Sequence, residues 1–304
     1  MAGAGVKLLN KRIRSVRNTQ QITKAMKMVA AAKLQRSQGR MLAARPYSRK
    51  LTELMQQLAG KADIAHPLFE TRPVHKRLFV VITSDKGLCG SYNTNLLKMA
   101  HKSVDASRAE GVETAIYAIG RKGADYFRKR GYTIFHAHAD FAGDMNAERG
   151  KLVGDKVVAA FLDGSFDEVR VIYAQFVSTM TQRPVDAALL PIAPEAAAEG
   201  VKVPLKGGAA AAAANGPKGE QDYIWEPSQE ELFAVLLPLY LRNRVFMTLS
   251  EAFTSEHAAR MTSMNAATEN AGEMIGALTL QRNRERQAAI TSELLDIVGG
   301  ANAL

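Results

Sequence analysis

Acidic residues are missing from the first 52 positions of this chain. The first is Glu53, and 13 Lys and Arg precede it. Gly and Pro are also missing from Val6 to Gln38. A stretch without helix breakers reads as helix, and this one would be basic on every exposed face. Surface helices normally mix signs, because opposite charges three or four residues apart support them. A helix of one sign excludes that self-pairing and implies a negative partner. The rest of the chain carries a net charge of −3, so the overall +10 is local to this segment. It marks one binding face, not general solubility.

Other absences narrow the class. One cysteine, Cys89, excludes an internal disulfide and fits a reducing compartment. Apolar runs are short: Leu232 to Leu241, interrupted by Pro238, is too brief to span a bilayer. No apolar core marks a secretory signal at the N-terminus. The Arg-rich, acid-free start shares its composition with transit peptides, but its length without breakers argues against one. The chain has 304 residues, 47% apolar and 23% charged, enough for one large or two modest domains with a true core.

What is present divides into three parts. A basic helix is expected from about Val6 to Leu58, with Gly39 and Pro46 in its second half and a kink or break at Pro46. Strand and helix signals then alternate from about Leu78 to Ile192. LFVVIT (78–83), TAIYAIG (114–120), YTIFHAH (132–138), EVRVIYAQF (168–176) and MTQRPVDAALLPI (180–192) read as strands. Helices are expected from about Asn93, over 123–131 and over 146–164. This is an α/β, Rossmann-like domain with a mostly parallel sheet covered on both faces. A Pro-, Gly- and Ala-rich stretch containing GGAAAAAANG (207–216) follows and reads as a low-complexity linker or insert. Ser228 and Glu231 then form a capping box for a long C-terminal helix. The expected division is 1–60 N-terminal helix, 75–192 α/β domain, 193–221 linker or insert, and 222–304 C-terminal segment.

The two terminal helices are longer than such a domain is wide, so much of each must project and cover its apolar stripe. In the C-terminal helix Met264, Thr268, Ala271, Ile275 and Leu278 recur at coiled-coil spacing. In the N-terminal helix Leu9, Ile13 and Val16 do so, and Ile22, Met26 and Val29 do so again after a break. The C-terminal heptad continues onto Arg282, Glu285 and Ala289 and resumes one residue out of phase at Ile290, Leu294 and Ile297. A long antiparallel coiled coil of the two helices is expected.

Candidate chemistry is sparse. The loop SDKGLCGSYN follows a strand and precedes a helix, as phosphate-binding loops do, but lacks their glycine spacing. A tight turn needing Gly87 and Gly90 is the better reading, with Cys89 a packed thiol. His136 and His138 share a strand face, with Asp140 beyond, but no further Cys or His cluster supports a metal. No catalytic residue, cofactor site or metal site is expected. The basic helix leaves two partners open: nucleic-acid phosphate or an acidic protein surface. Its lack of aromatics before Tyr47 counts against single-strand stacking.

Several longer motifs bear on that choice. IRSVRNTQQITKAMKMVAAAKLQRSQ (13–38) resembles the opening helix of the gamma subunit of the rotary F-type ATP synthase, bacterial type. TSDKGLCGSYN (83–93) is similar to the first loop of that family. RNRERQAAITSELLDIVGGANAL (282–304) resembles its C-terminal signature, and DYIWEP (222–227) and SEHAARMTSMNAATENAGEMI (255–275) match as well. The resemblance spans nearly the whole chain.

It implies a non-catalytic central-stalk rotor at the cytoplasmic face of the bacterial inner membrane. The coiled coil would turn inside a ring of three alpha and three beta subunits, with the α/β domain beside the epsilon subunit and its foot on the c ring. No nucleic acid and no membrane span are implied. Carried over by motif, Met26 faces the acidic lever loop of beta. Arg260 couples rotation to catalysis, Arg286 and Gln287 meet the catch loop of beta, and Thr291 lies one turn on. Tyr223, Trp225 and Glu226 belong to the foot that contacts the c ring and epsilon. The basic helix would then meet acidic loops of beta, with Lys24, Lys27 and Lys33 among the carriers of its field. Residues 193–219 look longer than usual for the family.

Overall fold

Continuous burial along the central strands, with alternate side chains packed on opposite faces, is the local rule from which the architecture follows. The computed structural model describes residues 2–61, 66–141, 146–192, 226 and 228–301. Two compact units divide the chain: Met1–Ala31 with Arg260–Leu304, and Ala32–Ala259.

The larger unit is built on five strands, β1 (Lys76–Ile82), β2 (Glu113–Ile119), β3 (Ile134–His138), β4 (Glu168–Phe176) and β5 (Gln182–Leu190), in the order β3-β2-β1-β4-β5. The pairs β1–β2, β1–β4 and β2–β3 are parallel, and β4–β5 is antiparallel. The β5 edge is antiparallel because a short turn at Ser178 and Thr181 joins it directly to β4. The sheet is thus mostly parallel, as the alternation of signals implied.

Both faces are covered. Leu78, Val80 and Ile82 point to one side, with Tyr117, Ile119, Val169 and Val171. Phe79 and Val81 point to the other, with Ile116, Ala118, Ile172 and Ala174. Against the second face lie α2 (Tyr92–Ala109) and α3 (Arg121–Arg128), through Tyr92, Leu96, Ala100, Val104 and Phe127. Against the first lie α4 (Ala147–Leu162) and parts of two long helices, α1 (Ala2–Lys61) and α5 (Gln229–Ala301). Leu51, Met55 and Leu58 come from α1; Phe233, Leu237, Leu241, Val245 and Leu249 come from α5. Each such buried side chain contributes about 1.5–3 kcal/mol.

This burial explains one departure from expectation. Pro46 lies inside α1 and does not break it. The lost hydrogen bond and ring clash cost ~3 kcal/mol. Met41 before it and Leu51 and Met55 after it are all buried, which outweighs that cost and holds both flanking turns in one helix. Helix α5 opens as its capping box requires: the Glu231 amide donates to Ser228 Oγ at 3.2 Å. Within Glu231–Leu295 this helix is long and apolar enough to cross a membrane by length and composition alone, yet half of that window is buried inside the protein. Its apolar residues from Phe233 to Phe253 belong to the core described above.

In the smaller unit α1 and α5 run antiparallel. Gly5 lies beside Glu285, Gln20 beside Thr268 and Lys27 beside Asn265. The α1 seam differs from the expected one. It does not break after Val16 but keeps one phase through Gln20, Thr23, Lys27 and Ala30. Ile22 and Val29 are 60% and 59% exposed. A strict heptad places them one residue off the seam, whose positions there are Thr23 and Ala30. On α5, Met264 and Ala271 are buried, and Thr268, Ile275, Leu278, Arg282, Glu285 and Ala289 are partly buried. Ile290, Leu294 and Ile297 are exposed and do not resume the seam. Three helical residues of α1 precede Gly5, whereas sixteen of α5 follow Glu285. Beyond Glu285 the apolar side chains Ile290, Leu294 and Ile297 of α5 lie exposed.

Candidate functional site

An enzyme of this topology would place its ligand outside the carboxyl ends of β1 and β4, where the strand order reverses. Helix α5 fills that crevice. Glu251 Oε1 accepts a hydrogen bond from the Phe176 amide at 3.1 Å, and the Tyr92 hydroxyl donates to the Ala252 carbonyl at 3.0 Å. Burial raises the Glu251 carboxyl to about 7, against the lowering effects of the Phe176 amide, the Tyr173 hydroxyl and the Arg45 charge.

The loop after β1 is occupied with itself. The Ser84 amide donates to Asn93 Oδ1 at 3.0 Å, Asn93 Nδ2 donates to Ser84 Oγ at 2.7 Å, and Ser84 Oγ donates to the Lys86 carbonyl at 2.6 Å. Its positive φ angles fall on Leu88 (63°) and Gly90 (59°), not on Gly87. Gly90 thus supplies the turn conformation that glycine favours, and the other left-handed position is held by an exposed Leu88. Cys89 is buried, 3.3 Å from Asn93 Nδ2. The loop is a tight strand-to-helix turn whose polar groups satisfy one another.

His136 and His138 stack at 4.5 Å between ring centroids, and Lys156 Nζ lies 3.1 Å from His136 Nε2. Burial first, then the Lys156 charge, lowers the His136 imidazole, and burial, then His136, then Lys156 lowers that of His138. A neighbouring ammonium opposes a metal cation. Among the described residues no group of three or more His, Cys, Asp or Glu is placed to hold a metal.

The distinctive surfaces lie instead on the two long helices. Lys7, Lys11, Arg12, Arg14, Arg17 and Lys24 are exposed on α1, and none makes an ion pair among the described residues. Lys27 differs: its Nζ donates to Asn265 Oδ1 at 2.6 Å across the seam. Met26 and Arg260 are partly buried in the smaller unit. Arg286, Gln287 and Thr291 are exposed near the end of α5, and Thr291 Oγ1 donates to the Gln287 carbonyl at 3.0 Å. The structure thus brings Gln287 and Thr291 onto one exposed turn. Glu226 is exposed, while Tyr223 and Trp225 lie outside the described residues, as does the 193–219 stretch.

Sequence reasoning missed one surface. Ile290, Leu294, Leu295, Ile297 and Val298 are between 49% and 67% exposed on the overhanging end of α5. Their apolar spacing was legible, but it reads equally as seam. Their exposure decides between the two meanings.

Two helices carry the exposed basic and apolar surfaces, and the α/β unit has its usual crevice closed. Residues 5–304 match the family model described as ATP synthase. The ATP synthase gamma chain of Desulfitobacterium hafniense is 43% identical over 304 residues, covering 99% of both chains. This chain belongs to the ATP synthase gamma chain family. The gamma chain of Moorella thermoacetica is 44% identical over 297 residues, covering 97% of this chain and 98% of that one. Among solved structures, a chain of the Euglena gracilis mitochondrial ATP synthase in rotational state 3 aligns with TM-score 0.68 at 20% identity, covering 99% of this chain and 95% of that one. A chain of the Tetrahymena thermophila mitochondrial ATP synthase central stalk and c ring aligns with TM-score 0.58 at 23% identity, over 81% of this chain and 99% of that one. These two establish a shared fold.

Proposed function

We propose that this chain is the central-stalk rotor subunit of a proton-translocating F-type ATP synthase. The observation that carries the reading is the full-length likeness to bacterial gamma chains. The exposed surfaces of the two long helices support it. The chain does no ATP chemistry itself; that belongs to the alpha and beta subunits. Rotation of the membrane c ring turns the stalk, and the asymmetric helix pair pushes the three catalytic sites through successive conformations.

Met26, Arg260, Arg286, Gln287 and Thr291 then face the beta subunits. Exposure of Arg286, Gln287 and Thr291 supports this. The apolar end of α5 enters the ring of alpha and beta subunits, which supplies the cover that α1 does not. The acid-free face of α1 meets acidic loops of beta. Tyr223, Trp225 and Glu226 form the foot on the c ring and epsilon subunit. The complex sits at the cytoplasmic face of the bacterial inner membrane.

Native extraction of that membrane tests the reading. The chain should co-purify at one copy to three alpha and three beta subunits, and alone it should hydrolyse no ATP. A chain recovered without alpha and beta would defeat the proposal. Nucleic-acid binding gains no specific support beyond the basic charge.

A further inference from the structure

Three successive α1 positions in the smaller unit put polar groups where a coiled coil usually puts apolar ones. Gln20 Nε2 donates to the Thr268 carbonyl at 3.3 Å, and Thr268 Oγ1 donates to Thr23 Oγ1 at 2.9 Å. One turn on, Lys27 Nζ donates to Asn265 Oδ1 at 2.6 Å, while Asn265 Nδ2 donates to Glu269 Oε1 at 2.8 Å. The amide is therefore fixed at both ends. Its oxygen faces the ammonium across the seam, and its nitrogen is held by a carboxylate one turn along its own helix. Ala30 and Met264, both buried, adjoin this layer.

An apolar seam tolerates sliding, because one methyl group replaces another. A polar layer does not, because slippage strands a charge against carbon. A one-heptad slip here would bring Lys27 opposite Gly272, which has no side chain to accept its protons. Lys24 and Met26 stand three and one residues before Lys27 on the same helix. Fixing the azimuth of Lys27 against α5 therefore fixes the direction in which those two face outward.

We propose that Lys27 and Asn265 form a positioning pair for torque transmission. The pair locks α1 and α5 in one register, so that the faces around Met26 and Arg260 present a fixed phase to the surrounding subunits. This rests on the rotor reading above. Neither residue touches substrate. A shaft whose two helices creep past one another dissipates applied torque, so loss of the lock separates ATP turnover from proton movement.

The test uses the whole complex in inverted membrane vesicles, with ATP hydrolysis and ATP-driven acidification measured on the same preparation. Lys27→Met makes this seam position apolar and leaves the chain folded but removes the lock. It should assemble in normal amounts, keep its ATP hydrolysis, and lose most of its acidification per ATP hydrolysed. The reversed pair, Lys27→Glu with Asn265→Lys, puts an ammonium on α5 between the carboxylate introduced on α1 and that of Glu269, and should regain that acidification. Unchanged acidification per ATP in Lys27→Met overturns the proposal, as does a fully assembled reversed pair that pumps no better than Lys27→Met. Failure of the rotor reading looks different: the unaltered chain would be missing from the ATP-hydrolysing complex.

Discussion

Glu251 accepts the backbone amide of Phe176 at 3.1 Å, joining the middle of α5 to the last residue of β4. The carboxyl is 1% exposed, and its second oxygen has no hydrogen-bond partner. Burial raises its pKa from 4.5 to about 7, while the Phe176 amide, Tyr173 and Arg45 pull the other way. The sign of the pH dependence follows. Above pH 7 the folded chain holds a buried carboxylate that the unfolded chain would solvate, and stability is lowered. As pH falls through about 7 the folded form takes up the proton first, and stability rises until the unfolded value near 4.5 is passed. The swing is on the order of 3 kcal/mol. Denaturant unfolding of the chain at pH 5 and pH 8 should show it, and Glu251→Gln should flatten it. An equal pH dependence in the variant would mean that another group is responsible.

Close approach of α4 to α5 predicts a second effect. A Cβ built at Gly150 would lie 2.8 Å from Phe246 Cβ and 3.2 Å from its Cα. At Gly154, one turn on, the nearest atom is Arg242 Cα at 3.3 Å. Gly150→Ala should therefore cost about 1–3 kcal/mol by overpacking, whereas at Gly154 the gain of about 1 kcal/mol in helix propensity should offset the milder contact. Phe246→Ala should rescue Gly150→Ala only in part, because it removes the Cδ2 contact at 3.2 Å but keeps Cβ and Cα. Thermal unfolding of the three variants measures this, and a full rescue would show that the ring, not the backbone, sets the spacing.

The α/β unit was legible because its strands are continuous apolar runs bounded by turns, and such runs have one stable use. EVRVIYAQF (168–176) matches β4 residue for residue. The seam of the smaller unit was less legible. Its phase passes through Gln20, Thr23 and Lys27, which look like surface residues, while exposed Ile22 and Val29 look like core. Hydrophobicity alone selects the wrong stripe wherever polar pairs occupy the seam. Pro46 misled for a related reason: propensity is local, and the burial that overrides it comes from residues far away in sequence.

The different fates of three lysines give a third prediction. Lys24 and Lys33 are exposed, whereas Lys27 is committed to Asn265. If the basic helix acts through a broad field, Lys24→Gln with Lys33→Gln should change the ATPase rate of the complex at low salt and leave the stability of the chain nearly unchanged. The difference should shrink as salt is added, since the Debye length falls from ~30 Å at 0.01 M to ~8 Å at 0.15 M. Lys27→Gln should behave oppositely, lowering the melting temperature with little salt dependence. Equal salt profiles for the parent and the double variant would argue against the field.

The overhanging end of α5 gives the last prediction. Ile290, Leu294 and Ile297 are exposed, so replacing all three with Ser removes almost no internal packing. Serine has only a modestly lower helix propensity than these residues, a few tenths of a kcal/mol at most per site. The isolated variant should therefore unfold within ~1 kcal/mol of the parent. In the complex the same side chains would lie against the ring of alpha and beta subunits. Burying apolar surface at roughly 25 cal/mol per Å² makes their loss worth several kcal/mol of association. Native electrophoresis against temperature should show the variant complex dissociating well below the parent while the two free chains melt together. If the complexes dissociate at the same temperature, the apolar end of α5 is not seated in the ring. Its exposure would then call for some other cover, because a helix end this apolar is otherwise a site of aggregation.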